Sequence, residues 1–302
     1  MANLIRSGKV KDVYEIDENE LEFVFSDRIS VFDKIIPSRI PYKGETLART
    51  STYWFDLLKQ KGISTDFIKL TSPNTMRVKR VSVISDYSKL NNNTRNYLIP
   101  LELIVRYFVY GSLWDRVKQG LVKPADLGFP HGHEVKQAEP LPEPFFEVTT
   151  KLEETDRNLT KEEALKISGL TLKEYDEMRE LCLKIDEEIN SKVKQRGMIH
   201  VDGKKEFAFD KERKLMVIDT FGTADEDRFW DTKEFEQGRY IERSKEFVRQ
   251  FYRNSGYHEQ LYKARKEGAP EPDIPPLPED MVKKASETYI KLFEDMTGQN
   301  FR

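Results

Sequence analysis

A charged hairpin, Met198–Asp219, constrains the fold of this chain more than any other stretch. Runs rich in β-forming residues lie on both sides of the polar spacer Lys211–Lys214, which is the pattern of two antiparallel strands joined by a short loop. A loop of these four residues places Asp210 opposite Leu215. The sequence therefore predicts an antiparallel sheet that contains this hairpin.

Acidic side chains on the predicted hairpin indicate a cation site. Side chains alternate between the two faces of a strand, so Asp202, Lys204 and Glu206 share one face. The four-residue loop places Glu206 directly opposite Asp219, and two carboxylates so placed repel each other unless a cation lies between them. Oxygen ligands beside a lysine suit Mg²⁺ that carries the phosphates of a nucleotide. A solvent-facing charged hairpin without a metal is the alternative that this stretch leaves open.

Composition excludes several classes of protein. The chain has 302 residues and a net charge of -3, which is enough for about two domains, and the lack of a long basic tract argues against nucleic acid as a partner. A single cysteine, Cys182, excludes an internal disulfide framework and a cysteine-based zinc site. No apolar run approaches the about 20 residues of a membrane-spanning helix, and the N-terminus lacks a hydrophobic signal core. We expect a cytoplasmic protein with small-molecule partners, as a monomer or a small homo-oligomer.

Capping residues and apolar periodicity predict the other elements. Thr160 with Glu163 and Thr171 with Glu174 form two helix-starting capping boxes, and the second opens a long helix that ends near Gly197. The other predicted elements include β-structure over residues 3–44, a helix over Thr46–Lys61, strands over Phe67–Leu70, Met76–Ile84 and Ile99–Arg106, and a final helix over Glu279–Thr297. These elements fall into a β-rich N-terminal part and a mixed part that contains the acidic hairpin, and we expect an α+β fold.

Two short stretches have the composition of anion sites. The run Ser7–Asp12 combines a glycine, a hydroxyl group and the lysines Lys9 and Lys11, so its backbone and side chains could bind phosphates. It is not a P-loop, and a hairpin turn with solvated lysines remains the alternative. Arg106 ends an apolar strand, and Gly111–Ser112 follows at a predicted helix start, where backbone N–H groups can meet an anion.

These stretches occur in an order that resembles the SAICAR synthetase (phosphoribosylaminoimidazole-succinocarboxamide synthase) family, in its longer, fungal-like form. The segments that carry the resemblance are Ser7–Tyr14, Ser26–Asp33, Ile40–Gly44, Ile99–Arg106 with Gly111–Ser112, Pro144–Lys151, Val201–Phe207 and Asp225–Trp230. The resemblance implies a β-rich N-terminal lobe over residues 1–97, a larger mixed α/β lobe over residues 98–302 with an antiparallel sheet and packed helices, and an ATP cleft between them.

The resemblance also implies a reaction. ATP activates the carboxylate of the ribonucleotide CAIR (5-aminoimidazole-4-carboxylate ribonucleotide), and the amine of L-aspartate attacks it to give SAICAR, ADP and phosphate, in de novo purine biosynthesis. ATP is then a co-substrate and Mg²⁺ a cofactor, because charge on the transferred phosphoryl group must be offset by cations.

Position by position, the resemblance assigns roles to individual residues. The implied ATP-binding residues are Ser7, Gly8, Lys9 and Lys11 at the phosphates, Glu102 beside adenine, and Lys204 and Glu206. The implied Mg²⁺ ligands are Glu206 and Asp219. The implied ribonucleotide-binding residues are Arg106, Ser112 and Arg228 at its phosphate, Asp33 and Lys43 near its carboxylate, and Asp225. Lys151 and Asp156 would lie near the aspartate, and these two with Lys204 form the implied catalytic set.

This chain departs from the family pattern where the amine substrate is expected. The loop after Lys151 lacks the family's His-Asp pair and has Asp156-Arg157 nearby. Smaller departures are Thr220 after Asp219, Ala208 after Phe207 and Tyr110 before Gly111. Two alternatives to the ligase therefore stay open: a related ATP-dependent amide ligase that takes another amine, and a nucleotide-binding module without enzymatic activity.

Overall fold

The computed structural model describes residues 3–302 of the chain. The strands are β1 (Asn3–Ser7), β2 (Lys11–Glu15), β3 (Glu20–Phe25), β4 (Arg28–Val31), β5 (Lys34–Arg39), β6 (Phe67–Ser72), β7 (Thr75–Lys79), β8 (Tyr97–Phe108), β9 (Pro140–Thr150), β10 (Met198–Phe209), β11 (Leu215–Ile218) and β12 (Asp227–Asp231). The α-helices are α1 (Lys43–Gln60), α2 (Ser112–Lys118), α3 (Lys161–Ser168), α4 (Leu172–Lys194), α5 (Thr232–Glu236), α6 (Glu246–Asn254), α7 (Tyr257–Glu267) and α8 (Glu279–Thr297).

The chain divides into two compact units. The first comprises the chain up to Lys61, together with Asp66–Arg80 and Thr223–Arg302. The second comprises Gly62–Thr65 and Val81–Gly222. This division differs from a boundary near residue 97, because the C-terminal segment returns to the N-terminal strands, and local sequence patterns carry no information about such a return. The lobes 1–97 and 98–302 remain a prediction about functional parts.

The first unit is built on an antiparallel sheet with the strand order β1-β2-β3-β7-β6. Helix α1 packs against β3, β6 and β7 and also against α8. Trp54 and Phe55 on α1 and Tyr289 and Phe293 on α8 are fully or almost fully buried. Burial of aromatic side chains of this size is the main favourable contribution to the stability of such a unit.

The second unit contains β11-β10-β8-β9 in that order along one sheet, and these strand pairs are antiparallel. Helix α4 packs against β10 and β8, and α3 packs against β8 and β9. Met178, Ile185 and Ile189 form a buried stripe on α4 at helical spacing. These antiparallel sheets with packed helices confirm the predicted α+β class.

Several predicted elements are confirmed. Both capping boxes form: the hydroxyl oxygens of Thr160 and Thr171 each accept from the backbone N–H of the glutamate three residues later, and the backbone N–H of each threonine donates to that glutamate's carboxylate. Helix α8 has the predicted bounds. Helix α1 begins three residues before the predicted Thr46, after Tyr42 in a left-handed conformation.

The register of the charged hairpin differs from the prediction by one residue. Glu206 pairs with Ile218, not with Asp219, and Phe209 pairs with Leu215. The loop is shorter than predicted, because Asp210 and Lys214 are joined by a backbone hydrogen bond of 3.0 Å. Arg213 makes this tight turn with a φ of 60°, which an arginine seldom adopts.

Within residues 3–302, the helices are all too short or too polar to cross a lipid bilayer.

Candidate active site

Two buried carboxylates face each other across β8 and β10. Glu206 pairs with Glu102, and the register between the two strands shifts directly after this pair, with the extra residues on β8. The ammonium group of Lys204 lies between them, with Nζ 2.7 Å from Glu102 Oε1 and 3.2 Å from Glu206 Oε1. Lys151, at the end of β9, contacts Glu206 Oε2 and lies 3.7 Å from Glu102 Oε1. Two lysines therefore compensate a pair of like charges that would otherwise repel.

Burial and charge perturb the acid–base behaviour of this cluster. Burial raises the pKa of Glu102 to about 7, Lys204 opposes this shift, and the neighbouring charge of Glu206 adds to it. Burial by itself would lower the pKa of Lys151, but the carboxylates of Glu206, Asp219 and Glu102 raise it above its usual value. Perturbed titratable groups that contact one another are typical of functional sites.

Asp219 does not lie opposite Glu206, as the sequence predicted, but directly after the paired residues of β11. It follows the last residue of β11 and has a left-handed backbone, with a φ of 65°. Its charge raises the pKa of Lys151, which places the Asp219 carboxylate in the electrostatic environment of that lysine. The predicted cross-strand pairing of Glu206 with Asp219 is wrong, and the carboxylate that lies opposite Glu206 is Glu102.

The chemistry of this donor set fits a divalent cation. Glu206 and Asp219 offer hard oxygen ligands of the kind that Mg²⁺ prefers. Glu206 is 4% exposed and contacts two ammonium groups, so its environment already requires positive charge. An incoming cation could take over that role while the lysines bind phosphate oxygens.

Arg106 is held in a buried network in the same unit. Its Nε donates to Glu147 Oε2, its Nη1 donates to Asp202 at 3.2 Å, and its Nη2 donates to Ser112 Oγ at 3.1 Å. Arg116 also contacts Glu147. Burial alone would raise the pKa of Glu147, but Arg106 and Arg116 hold it below its usual value. The structure thus brings the predicted Arg106 and Ser112 together, with the charge of Arg106 compensated by carboxylates.

The glycine–lysine loop of the first unit is a tight hairpin turn between β1 and β2. Gly8 N donates to Lys11 O at 2.9 Å, and a Cβ at Gly8 would lie 2.9 Å from that same oxygen. Ser7 Oγ donates to Asp12 Oδ1 at 2.6 Å. The ammonium group of Lys11 lies over the ring of Phe23, 4.2 Å from its centroid.

Lys9 and Asp33 are brought together by the structure. Lys9 Nζ lies 2.6 Å from Asp33 Oδ1, and both side chains are about half exposed or more, at 49% and 63%. Asp33 has a φ of 66°, a conformation that aspartate tolerates better than most residues. The two groups were predicted to contact different substrates, and in this structure they neutralise each other at the surface.

Lys43 and Asp225 form a buried ion pair. Lys43 Nζ lies 2.8 Å from Asp225 Oδ2, Tyr289 donates to Asp225 Oδ1 at 2.5 Å, and Lys245 Nζ lies 3.7 Å from Oδ2. Burial would raise the pKa of Asp225, but Lys245 and Lys43 hold it well below its usual range. Burial also lowers the pKa of Lys245 to about 8. The sequence pattern gave no sign that these two predicted substrate residues bind each other.

Arg228 also meets a carboxylate. Its Nε lies 3.3 Å from Glu246 Oε2.

Asp156 lies on an exposed loop after Lys151, where Arg157 pairs with Glu153 and Glu163. Sequence reasoning missed both glutamates that hold the predicted phosphate arginines, Glu147 and Glu246, because a single glutamate in a strand or at a helix start looks like any solvent-facing residue.

Comparison with known proteins gives the same family for the whole chain. A family model described as SAICAR synthetase matches residues 4–264. The phosphoribosylaminoimidazole-succinocarboxamide synthases of Thermoplasma volcanium and Thermoplasma acidophilum are each 55% identical over 298 residues, which is 99% of this chain and 99% of each relative.

Solved structures agree with these relatives. SAICAR synthase from Saccharomyces cerevisiae, complexed with SAICAR, is 27% identical with a TM-score of 0.73, over 99% of this chain and 96% of that one. A type-2 SAICAR synthetase in complex with ADP is 26% identical with a TM-score of 0.68, over 98% and 99% of the two chains. The chain therefore belongs to the SAICAR synthetase family.

Proposed function

We propose that this chain is an ATP-dependent ligase that joins the carboxylate of CAIR to the amine of L-aspartate and releases SAICAR, ADP and phosphate. One observation carries the proposal: a chain of this family holds two carboxylates and two lysines in mutual contact on neighbouring strands. Such a cluster can bind a metal–nucleotide and offset the charge of a moving phosphoryl group. The ADP and SAICAR complexes of similar proteins support it.

The reaction is a sequence of two substitutions. A carboxylate oxygen of CAIR attacks the γ-phosphorus of ATP, the bond to the bridging oxygen breaks, and ADP leaves. The amine of aspartate then attacks the activated carbonyl carbon, loses a proton to a base, and expels phosphate. The first step supplies the leaving group that a bare carboxylate lacks, and positive charge near the phosphoryl oxygens lowers its barrier.

On the nucleotide side, we assign Ser7, Gly8, Lys9 and Lys11 to the phosphates of ATP and Glu102 to the adenine. The tight turn closed by the hydrogen bond from Gly8 N to Lys11 O places Lys9 and Lys11 at the end of this hairpin. Lys9 would leave Asp33 to meet a phosphate. An exposed ion pair contributes at most about 1 kcal/mol, so this exchange costs little.

We assign Mg²⁺ to Glu206 and Asp219. A bound Mg²⁺ would polarise the phosphoryl oxygens and screen their charge. Lys204 and Lys151 would then bind phosphate or substrate oxygens in place of Glu206. Both lysines contact Glu206 through flexible side chains that end in an ammonium group.

On the ribonucleotide side, we assign Arg106, Ser112 and Arg228 to the phosphate. Arginine binds phosphate through paired N–H donors, and each of the two arginines is held by a buried glutamate. Asp33 and Lys43 are assigned to the carboxylate end. Lys43 is fully buried on Asp225, so a direct contact requires that pair to open.

Asp225 is assigned to the ribonucleotide as well, and its contacts with Lys43, Tyr289 and Lys245 give it a supporting role for that region. Lys151 and Asp156 are assigned to the aspartate side, and with Lys204 they form the catalytic set. The related ligase with a different amine remains the second candidate, because the exposed loop that carries Asp156 departs from the family pattern.

An assay of the purified protein with CAIR, ATP, Mg²⁺ and a panel of amines tests this proposal. We expect ADP and SAICAR with L-aspartate, and no amide product with L-glutamate or L-alanine. Product with another amine only would replace the proposal by the second candidate. ADP release that is absent with every amine would leave a nucleotide-binding module without ligase activity.

The Glu206→Gln variant tests the metal assignment. Glutamine keeps the volume but is a poor Mg²⁺ ligand, so kcat should fall by about a hundredfold or more, the range seen when charge stabilisation is removed from a transition state. Calorimetric titration should also show weaker binding of Mg²⁺–ADP. Asp210→Asn, in the loop of the same hairpin, is the matched control. Near-normal kcat and Mg²⁺–ADP affinity in Glu206→Gln would contradict the assignment.

A further inference from the structure

Glu246 is a buried glutamate to which no role has been assigned. It is the first residue of α6 and is 1% exposed. Its Oε2 accepts from Arg228 Nε and from Arg249 Nη1, each at 3.3 Å, and its Oε1 accepts from Gln250 Nε2 at 3.1 Å. Both carboxylate oxygens therefore accept hydrogen bonds, and one of the donors is an arginine assigned to a substrate phosphate.

Charge keeps this carboxylate ionised in spite of its burial. Burial would raise the pKa of Glu246, but Arg228, Arg249 and Arg253 lower it below its usual value. A carboxylate in the first turn of a helix is also favoured by the helix dipole. The carboxylate that contacts Arg228 is therefore charged, and the contact is an ion pair.

We propose that Glu246 is a positioning residue that orients the guanidinium group of Arg228 for the phosphate of the ribonucleotide. This inference rests on the proposed function of Arg228. A guanidinium group is a flat fork with five N–H donors, and the contact of Glu246 at Nε restricts the rotation of that fork. An arginine whose orientation is fixed in advance loses less rotational freedom when it binds an anion.

A purely structural role for Glu246 has different consequences. Its backbone N–H donates to Ser244 Oγ at 3.3 Å, so the residue also belongs to the start of α6. If it only stabilised this helix start, its removal would lower stability and affect all substrates alike. If it positions Arg228, its removal should weaken one substrate selectively and should do nothing further once Arg228 is absent.

The test is steady-state kinetics and thermal unfolding of Arg228→Ala, Glu246→Ala, Glu246→Gln and the Arg228→Ala/Glu246→Ala double variant of the full chain. Glu246→Ala should raise the KM for CAIR about ten- to a hundredfold, the effect of losing a hydrogen bond to a charged group. The KM values for ATP and aspartate and kcat should change by about twofold or less. Glu246→Gln should show a smaller rise, because its amide oxygen still accepts from Arg228 Nε.

Glu22→Gln is the matched control. Glu22 also holds an arginine in the same unit, accepting from Arg77 Nη2 at 2.7 Å and from Nε at 3.2 Å, and its removal should leave all three KM values unchanged. It separates a specific effect on Arg228 from a general effect of losing an arginine–glutamate pair.

Each outcome decides between the two roles. The inference is supported if the double variant has the same KM for CAIR as Arg228→Ala alone. It is overturned if the single effects multiply, if all three KM values rise together, or if Glu246→Ala leaves the KM for CAIR unchanged while Arg228→Ala raises it. An unchanged KM in Arg228→Ala itself would remove the proposed role of that arginine, and the inference with it. Should Glu246→Ala fail to fold, Glu246→Gln with and without Arg228→Ala gives the same decision.

Discussion

Replacing Asp225 with asparagine should destabilise the first unit strongly. The side chains of Lys43 and Asp225 are 0% and 3% exposed, and that of Lys245 is 10% exposed. Asparagine keeps the shape of the carboxylate, but it removes the negative charge that faces two ammonium groups. The variant therefore leaves two buried positive charges without their counter-ion.

The magnitude follows from the burial of the pair. Breaking a buried ion pair by removing one partner costs about 3–5 kcal/mol. A loss of 1 kcal/mol lowers the Tm of a domain of about 150–250 residues by about 2–4 °C. The expected fall in Tm for Asp225→Asn is therefore about 6–20 °C at pH 7, as measured by circular dichroism at 222 nm.

The dependence on pH has a definite sign. Burial lowers the pKa of Lys245 from 10.5 to about 8 in the folded protein. The unfolded chain therefore binds more protons between about pH 8 and pH 10.5, and stability rises with pH in that window. Without the Asp225 carboxylate, which opposes this shift, the folded pKa falls further. The Tm difference between Asp225→Asn and the unsubstituted protein should thus narrow from pH 7 to pH 9.

Asp280→Asn on α8 is the matched control. Asp280 is exposed, and its ion pair with Lys284 is long, at 3.8 Å. A double variant, Asp225→Asn with Lys43→Met, should regain several degrees, since it removes one of the two uncompensated charges. A Tm for Asp225→Asn within about 2 °C of the unsubstituted protein at pH 7 would refute the reasoning, because buried ion pairs cannot be broken so cheaply.

Two further predictions concern single positions. Gly8→Ala should open the turn, because the added Cβ would lie 2.9 Å from Lys11 O. Calorimetry should then show that the affinity for ADP falls about tenfold, equivalent to about 1.4 kcal/mol. An unchanged affinity would contradict the phosphate assignment. Lys205→Met leaves Asp186 as a buried charge without this partner, so the free energy of unfolding in urea should fall by about 3–5 kcal/mol. The Asp186→Asn/Lys205→Met variant should recover part of that loss, and no recovery would contradict the ion-pair argument.

Local signals in the sequence located most elements. The capping boxes at Thr160 and Thr171 fixed two helix starts because the reciprocal hydrogen bonds of a capping box involve only four consecutive residues. The glycine after Thr297 fixed the end of α8, since glycine adopts the left-handed conformation that ends a helix. Signals of this kind need no information about the rest of the fold.

The hairpin register could not be predicted, because it depends on tertiary contacts. Arg213 holds a left-handed conformation that usually signals glycine or asparagine. Its guanidinium group donates to Glu174 and to the carbonyl oxygens of Thr94 and Gly169, and these distant partners stabilise the tight turn. A loop without glycine gave no sign that it was one residue shorter.

The sequence identified residues of the candidate site but not all of their contacts, because those contacts also depend on the tertiary fold. The resemblance named Glu102, Lys151, Lys204 and Glu206 one at a time, and the structure brings these four into contact. It did not reveal that Lys43 is buried on Asp225, because the partner lies far along the chain and burial of a lysine runs against its usual preference for solvent.

Neighbouring lysines on β10 have a consequence for how this protein can change. Lys204 joins the carboxylates Glu102 and Glu206, whereas Lys205, on the opposite side of the strand, contacts Asp186 of α4. Inserting or deleting one residue upstream in this strand would exchange the faces of the two lysines, so that the contacts of Lys204 with Glu102 and Glu206 and the buried contact of Lys205 with Asp186 would be lost together. We therefore expect β10 to tolerate single substitutions better than insertions or deletions, in natural variants and in engineered ones.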